Sequence, residues 1–257
     1  MNNIFLNNIF QMMKYTISFE FKRFLPHTIV LFGIIFIFLS ASVNFFGLKF
    51  QERVFFDLSL TLVGWFMIIL AISLGISNIA NEIERKIIYT FITKPISREQ
   101  YFLGKFLGIV FFLFLAFVIF SFEIFFIDYF YTKKMLFIIF SAIFLQFLKA
   151  CIILSFTMIL SLYVSSPINI SLTLLFFVFS EMSILYASAF EGITKKIILF
   201  LKLALPYFDY FNINQAIVFS ASGNAHPIYI LSAIIYGISY LIFLLTLGTI
   251  LFYKKEL

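Results

Sequence analysis

The chain has 257 residues, of which 63% are hydrophobic, 21% aromatic (41 of them Phe) and only 12% charged. A soluble domain needs about a quarter charged residues to coat its surface, so a water-soluble globule is excluded and the solvent around most of the chain must be lipid. The formal charge of +6 does not point to nucleic acid, because the Lys and Arg sit in short runs beside apolar segments, where such bases set topology and meet membrane lipid headgroups. The single cysteine, Cys151, excludes an intrachain disulfide and a Cys-based metal cluster.

In chain order, Met1 to Arg23 is not expected to be a signal peptide, since it has no basic start before an apolar run and no small-residue cleavage site. Asn7, Gln11, Lys14, Ser18 and Lys22 recur at helical spacing, and Ile9, Met13, Ile17 and Phe24 line much of the other side. The pattern predicts an amphipathic helix over residues 4–25, lying in the membrane interface and entering the bilayer at Pro26. Crossing the hydrocarbon core takes about 20 apolar helical residues. By that rule six spans are predicted, over 28–46, 58–76, 101–127, 135–164, 168–190 and 228–253. These long unbroken runs lack the strand alternation of a membrane β-barrel, so the fold class is an all-α membrane protein in one domain.

An even number of spans puts both termini on one side. Lys14, Lys22, Arg23, the bases from Arg85 to Lys105, Lys254 and Lys255 would lie there. Lys49, Arg53, Lys133, Lys134, Lys195, Lys196 and Lys202 would lie opposite. The bias favours cytoplasmic termini in a cytoplasmic (inner) membrane. The 191–227 stretch is then extracytoplasmic, and Ile197–Leu205 within it, apolar but too short to cross, reads as an interfacial or re-entrant helix.

The densest charge falls between the second and third spans, in Asn78 to Lys105. Ile79, Ile83, Ile87 and Phe91 repeat every fourth residue, with Glu82 and Lys86 as an i, i+4 pair on another face. This predicts a short amphipathic helix over 79–94 that stays out of the bilayer, ended by Pro95. Ser97 and Gln100 fit a capping box that starts a new helix at Arg98 and leads into the third span.

This segment resembles the characteristic cytoplasmic segment of type-2 ABC transporter permeases, the membrane subunits of many ABC exporters. The resemblance lies in Glu82 and Glu84, Arg85 and Lys86, the apolar Ile87 to Ile92, Pro95-Ile96-Ser97-Arg98, and Gly104-Lys105. The six spans, the N-terminal amphipathic helix, the Leu-Pro with Asp209 and Phe211-Asn212, and the basic ending from Phe252 to Glu256 are similar to the family as well. One departure is Glu-Arg-Lys where many members have Glu-Arg-Gly-Thr. The resemblance implies that 79–94 is a coupling helix docking on a cytoplasmic ABC ATPase subunit through Glu82, Glu84, Arg85, Lys86, Pro95, Ser97, Arg98, Gly104 and Lys105. It also implies a second permease copy or a related permease as partner. The chain carries no GxxxxGK[ST] loop, no HExxH and no nucleophile elbow. It is therefore expected to be no enzyme and to bind no cofactor itself, with ATP and Mg held by the ATPase.

Ionisable residues inside spans are candidate functional residues. Glu123 lies near the outer end of the third span, Lys149 mid-way along the fourth and Glu181 mid-way along the fifth. The last two stand at similar distances from the Ser165–Pro167 turn and are predicted to pair, either as the polar lining of a substrate path or as a structural ion pair. Two rival functions remain open: a proton-driven secondary transporter using Glu123, Lys149 and Glu181, and a membrane anchor subunit that transports nothing.

Overall fold

The computed structural model describes residues 2–22, 30, 33–34, 51–84, 96–131, 137–181, 205–213 and 227–255. Among them are six α-helices: α1 (Asn2–Lys22), α2 (Gln51–Glu84), α3 (Arg98–Tyr131), α4 (Phe137–Leu160), α5 (Ser166–Glu181) and α6 (Pro227–Lys254). A short 3-10 helix spans Phe208–Phe211, and no strand occurs among the described residues. The helices α2, α3, α4 and α6 are each long and apolar enough to cross a membrane, the composition of a multi-pass membrane protein. Most of the first predicted span, residues 182–190 of the fifth, and Ile197–Leu205 apart from its last residue lie outside the described residues. As described, α5 has 16 residues, fewer than a crossing needs.

The helices form an up-and-down bundle. Gly64 meets Gln146 and Gly75 meets Thr157, so α2 and α4 run parallel. Gly237 beside Leu148 and Gly248 beside Ile159 make α6 parallel to both. Helices α3 and α5 run the other way, with Phe120 on Phe66 and Phe125 on Phe140 for α3, and Glu181 on Lys149 for α5. One end of the bundle, here the proximal end, therefore gathers the finish of α2, the start of α3, the α4–α5 turn and the finish of α6. Helix α4 is the axis: Ile143, Leu145, Ala150, Ile152, Ile153 and Leu154 are all fully buried. Helix α6 is peripheral, with Ala233, Gly237, Leu244, Gly248 and Phe252 as its buried residues.

Two predicted elements are corrected. The second span and the expected surface helix are one continuous 34-residue helix as far as Glu84. No new helix starts at Ile79, which is fully buried in the bundle. Glu82, one of the charged groups expected to keep this stretch out of the core, is buried there and paired with Lys105. Asn78 Nδ2 donates to Leu74 O at 3.0 Å and to Glu20 Oε1 at 2.8 Å, which satisfies its donors in the interior.

The second correction concerns α1, which does more than present one apolar face. Met12, Thr16 and Glu20 form a buried stripe along the start of α3, while Leu6, Phe10 and Phe21 point outward on the adjacent side. Asn7, Gln11, Lys14, Ser18 and Lys22 are exposed on the next. The helix thus has three faces, and the buried one rests on a G-x-x-x-G spacing in α3. An added Cβ at Gly104 would meet Met12 Cβ at 2.5 Å, and one at Gly108 would meet Thr16 Cβ at 2.6 Å. Small residues at this spacing let two helix backbones approach closely.

The start of α3 follows the capping-box expectation. Gln100 N donates to Ser97 Oγ at 3.3 Å, and Ser97 N donates to Gln100 Oε1 at 2.9 Å. At the other turn, Asn169 Nδ2 donates to Thr157 O at 3.1 Å and to Ser161 Oγ at 2.8 Å, so the predicted fourth span ends in a turn after Leu160 instead of running to Val164.

Candidate functional site

Two clusters of charge lie inside the bundle. The first closes the proximal end where α1, α2 and α3 meet. Glu82 receives a hydrogen bond from Lys105 Nζ at 2.5 Å and another from the Tyr101 hydroxyl. The Lys105 side chain is fully buried, and its ammonium stands over the rings of Tyr15 at 5.2 Å and Tyr101 at 5.7 Å. The Tyr15 phenol is pushed above its ordinary pKa, first by burial and then by the Glu82 carboxylate. Glu20 enters from α1 and joins the same cluster through Asn78. Burying an ammonium between carboxylates and aromatic faces is favourable only with such complete partnering.

Around this cluster the neighbouring helix ends are clamped. Asn8 Nδ2 donates to the capping Gln100 at 3.1 Å, tying α1 to the first turn of α3. Arg98 donates to the last carbonyls of α6, at Phe252 and Tyr253 (3.3 Å each), and to Lys255 O. These are groups a helix end leaves without intrahelical partners. Lys255 in turn donates to Leu162 O after α4, and burial pushes its pKa down.

The residues expected to dock on a partner are therefore of several kinds. Glu82 and Lys105 face each other in the interior, and Gly104 is covered by α1. Arg98 holds α6, and Ser97 caps α3. The Glu84 side chain, Arg85, Lys86 and Pro95 lie outside the described residues. On this geometry Glu82, Gly104 and Lys105 serve contacts within the chain.

The second cluster lies mid-bundle. Lys149 Nζ donates to Glu181 Oε2 at 3.0 Å and Oε1 at 3.3 Å, the pairing expected from their spacing. Lys149 is about 18 Å along α4 from its first residue at ~1.5 Å per residue. The rings of Phe177 and Phe208 flank its ammonium at 5.2 and 5.7 Å. The 3-10 helix is what brings Phe208 there. Phe208 and Phe211 are fully buried between α4, α5 and α6. Tyr207 anchors this segment by donating its N–H to the Tyr236 hydroxyl at 2.8 Å and its own hydroxyl to Asp209 at 3.0 Å.

Beside the pair is a cavity of about 430 Å³, walled by Gly64, Trp65 and Ile68 of α2, by Gln146 of α4, and by Glu181. The Gln146 Oε1 atom is buried and has no hydrogen-bond partner among the described residues. Glu123 is not part of this cavity. It is half-buried on α3 against Gly33, and its Oε2 also lacks a partner among the described residues.

Sequence reasoning missed Glu20, Tyr101, Gly108, Trp65 and Gln146. Gly108 was legible as the second member of a G-x-x-x-G. Glu20 was legible as the one acidic residue on the Met12–Thr16 stripe. Nothing in the sequence singled out Trp65 or Gln146, because their importance comes from which helices face each other. Compared with known proteins, the chain matches no family model and no curated protein.

Proposed function

We propose that this chain is the membrane subunit of an ATP-driven exporter, working with a second copy or a related permease and with cytoplasmic ATPase subunits that hold the ATP and Mg. The observation that carries the reading is a mechanical continuity. Helix α2 finishes in the Glu82–Lys105 cluster, and the same helix walls the mid-bundle cavity with Gly64, Trp65 and Ile68. The ends of α2 and α3 that flank the charged stretch are tied to each other through Glu82 and Lys105, and to α1 and α6 through Asn78 and Arg98. A subunit pressing on that stretch would move the clamped helix ends as one body, and α2 would carry the motion to the cavity.

The proximal end is read as cytoplasmic, because Arg98, Lys254 and Lys255 gather there. Six crossings belong to this reading, and α2, α3, α4 and α6 have the length and composition for four of them. The three faces of α1 suit a helix that meets protein, lipid and water at once.

The test is purification from native membranes in mild detergent. The expected result is a co-purifying protein that hydrolyses ATP, lost when Arg85→Glu and Lys86→Glu are combined while thermal unfolding of the chain is unchanged. If the chain is isolated alone and, reconstituted by itself, moves solute along a proton gradient, the secondary-transporter reading replaces this one.

A further inference from the structure

We propose that the cavity between α2, α4 and α5 is a binding site for an amphiphile with an ammonium head and an apolar body. The volume, about 430 Å³, falls in the range of small-molecule sites, which are mostly apolar with a few convergent polar groups. What selects the ligand is which polar atoms remain available. The Lys149 side chain is 5% exposed and its charge is spent on Glu181 and on the two phenyl faces behind it. The Glu181 side chain is 36% exposed and is the charged group that the cavity presents. Asp209 also acts electrostatically on the same ammonium, which adds to the negative field beside the cavity.

Gln146 supplies the independent observation. Its Oε1 is an acceptor that is buried and unpartnered among the described residues, on a residue that lines the cavity. An unmade hydrogen bond at a buried carbonyl oxygen is costly, and a donor-bearing ligand removes that cost. An ammonium group offers several donors at once, enough for both Glu181 and Gln146. Trp65 adds an aromatic face that attracts a cation, and it is half exposed with its edge contact to Phe177. Ile68 and Val178 supply apolar wall for the rest of the molecule. An anionic head would meet the exposed carboxylate before it could reach an ammonium already covered by rings.

This names the cargo class of the exporter reading and rests on that reading only for the claim that the ligand is moved. Binding needs neither ATP nor a partner, so the two can fail separately. Trp65 is the chain's single tryptophan, which makes its fluorescence a reporter inside the site. The experiment holds the full chain in phosphatidylcholine nanodiscs without nucleotide. It titrates a dansyl group on a short alkyl chain ending in a primary amine, and then the matching carboxylate. Saturable energy transfer from Trp65 to the amine is expected, with affinity about tenfold or more above that for the carboxylate. Glu181→Gln should weaken amine binding by a similar factor. Val178→Phe, which fills the cavity without touching its polar groups, should weaken both probes and serves where Glu181→Gln does not fold. Glu123→Gln should change nothing. Equal or better binding of the carboxylate would overturn the proposal. So would transfer that rises linearly with probe, as partition into lipid gives, or an unchanged affinity in Val178→Phe.

Discussion

The two buried ion pairs of this chain use the same chemistry in opposite settings. At the proximal end, Lys105 and Glu82 are sealed, with side chains 0% and 5% exposed and three further groups converging on them. In mid-bundle, Lys149 is as deeply buried, but Glu181 is 36% exposed and stands on a cavity wall next to an unpartnered Gln146. The first pair has no surface left for anything but the helices it joins, which is how a clamp is made. The second leaves one acceptor group facing open space, which is how a site is made. Burial of the cation is common to both, and exposure of the anion is what separates them.

That contrast can be broken at several points. The largest effect is expected for Lys105→Met, which strands Glu82 and Glu20 in the interior. It should cost about 3–5 kcal/mol in thermal or denaturant unfolding of the detergent-solubilised chain. Adding Glu82→Gln should recover part of the loss, because the uncompensated charge rather than the missing attraction dominates. If Lys105→Met unfolds like the native chain, the clamp has no energetic substance.

Gly108→Leu comes next. Its side chain has no room against Thr16, and overpacking of this kind costs about 1–3 kcal/mol. Because the strain falls on the α1–α3 contact, limited proteolysis should release α1 before the rest of the bundle is cut. Ser97→Ala removes one half of the capping box at α3 and should cost about 1 kcal/mol. The Arg98 contacts to α6 are independent of it.

The mid-bundle pair sharpens the comparison most. Glu181→Gln removes the carboxylate from a buried ammonium, but the amide oxygen can still accept from Lys149 and the position is 36% exposed. The loss on unfolding should therefore be smaller than that of Lys105→Met, while its effect on amine binding is the larger readout. A loss as large as that of Lys105→Met would make the second pair a second clamp and remove the distinction.

Much of the fold was legible along the chain because lipid imposes a simple rule. A helix must be long and apolar enough to satisfy its backbone inside the hydrocarbon, so α2, α3, α4 and α6 stand out in composition before any contact is known. The Lys149–Glu181 pair was legible for a related reason: two charges equally far from one tight turn on antiparallel helices have to meet. The capping box at Ser97 and Gln100 needs only three residues of local sequence. The role of Glu82 was not legible. Its local pattern, an acidic residue with a base four positions on, is that of a solvated helix face, and only the approach of α3 and α1 turns it inward.

What the sequence alone determined, then, is the membrane class, four long apolar helices, the start of α3 and the depth match of one ion pair. These depend on interactions within a helix or across one short turn. The tertiary structure decided that α2 continues to Glu84, that Gly104 and Gly108 seat α1, and that Trp65 and Gln146 share a cavity with Glu181. Each of those depends on which faces of separate helices are pressed together. Packing settles that by filling space around α4, and no single stretch of sequence records it.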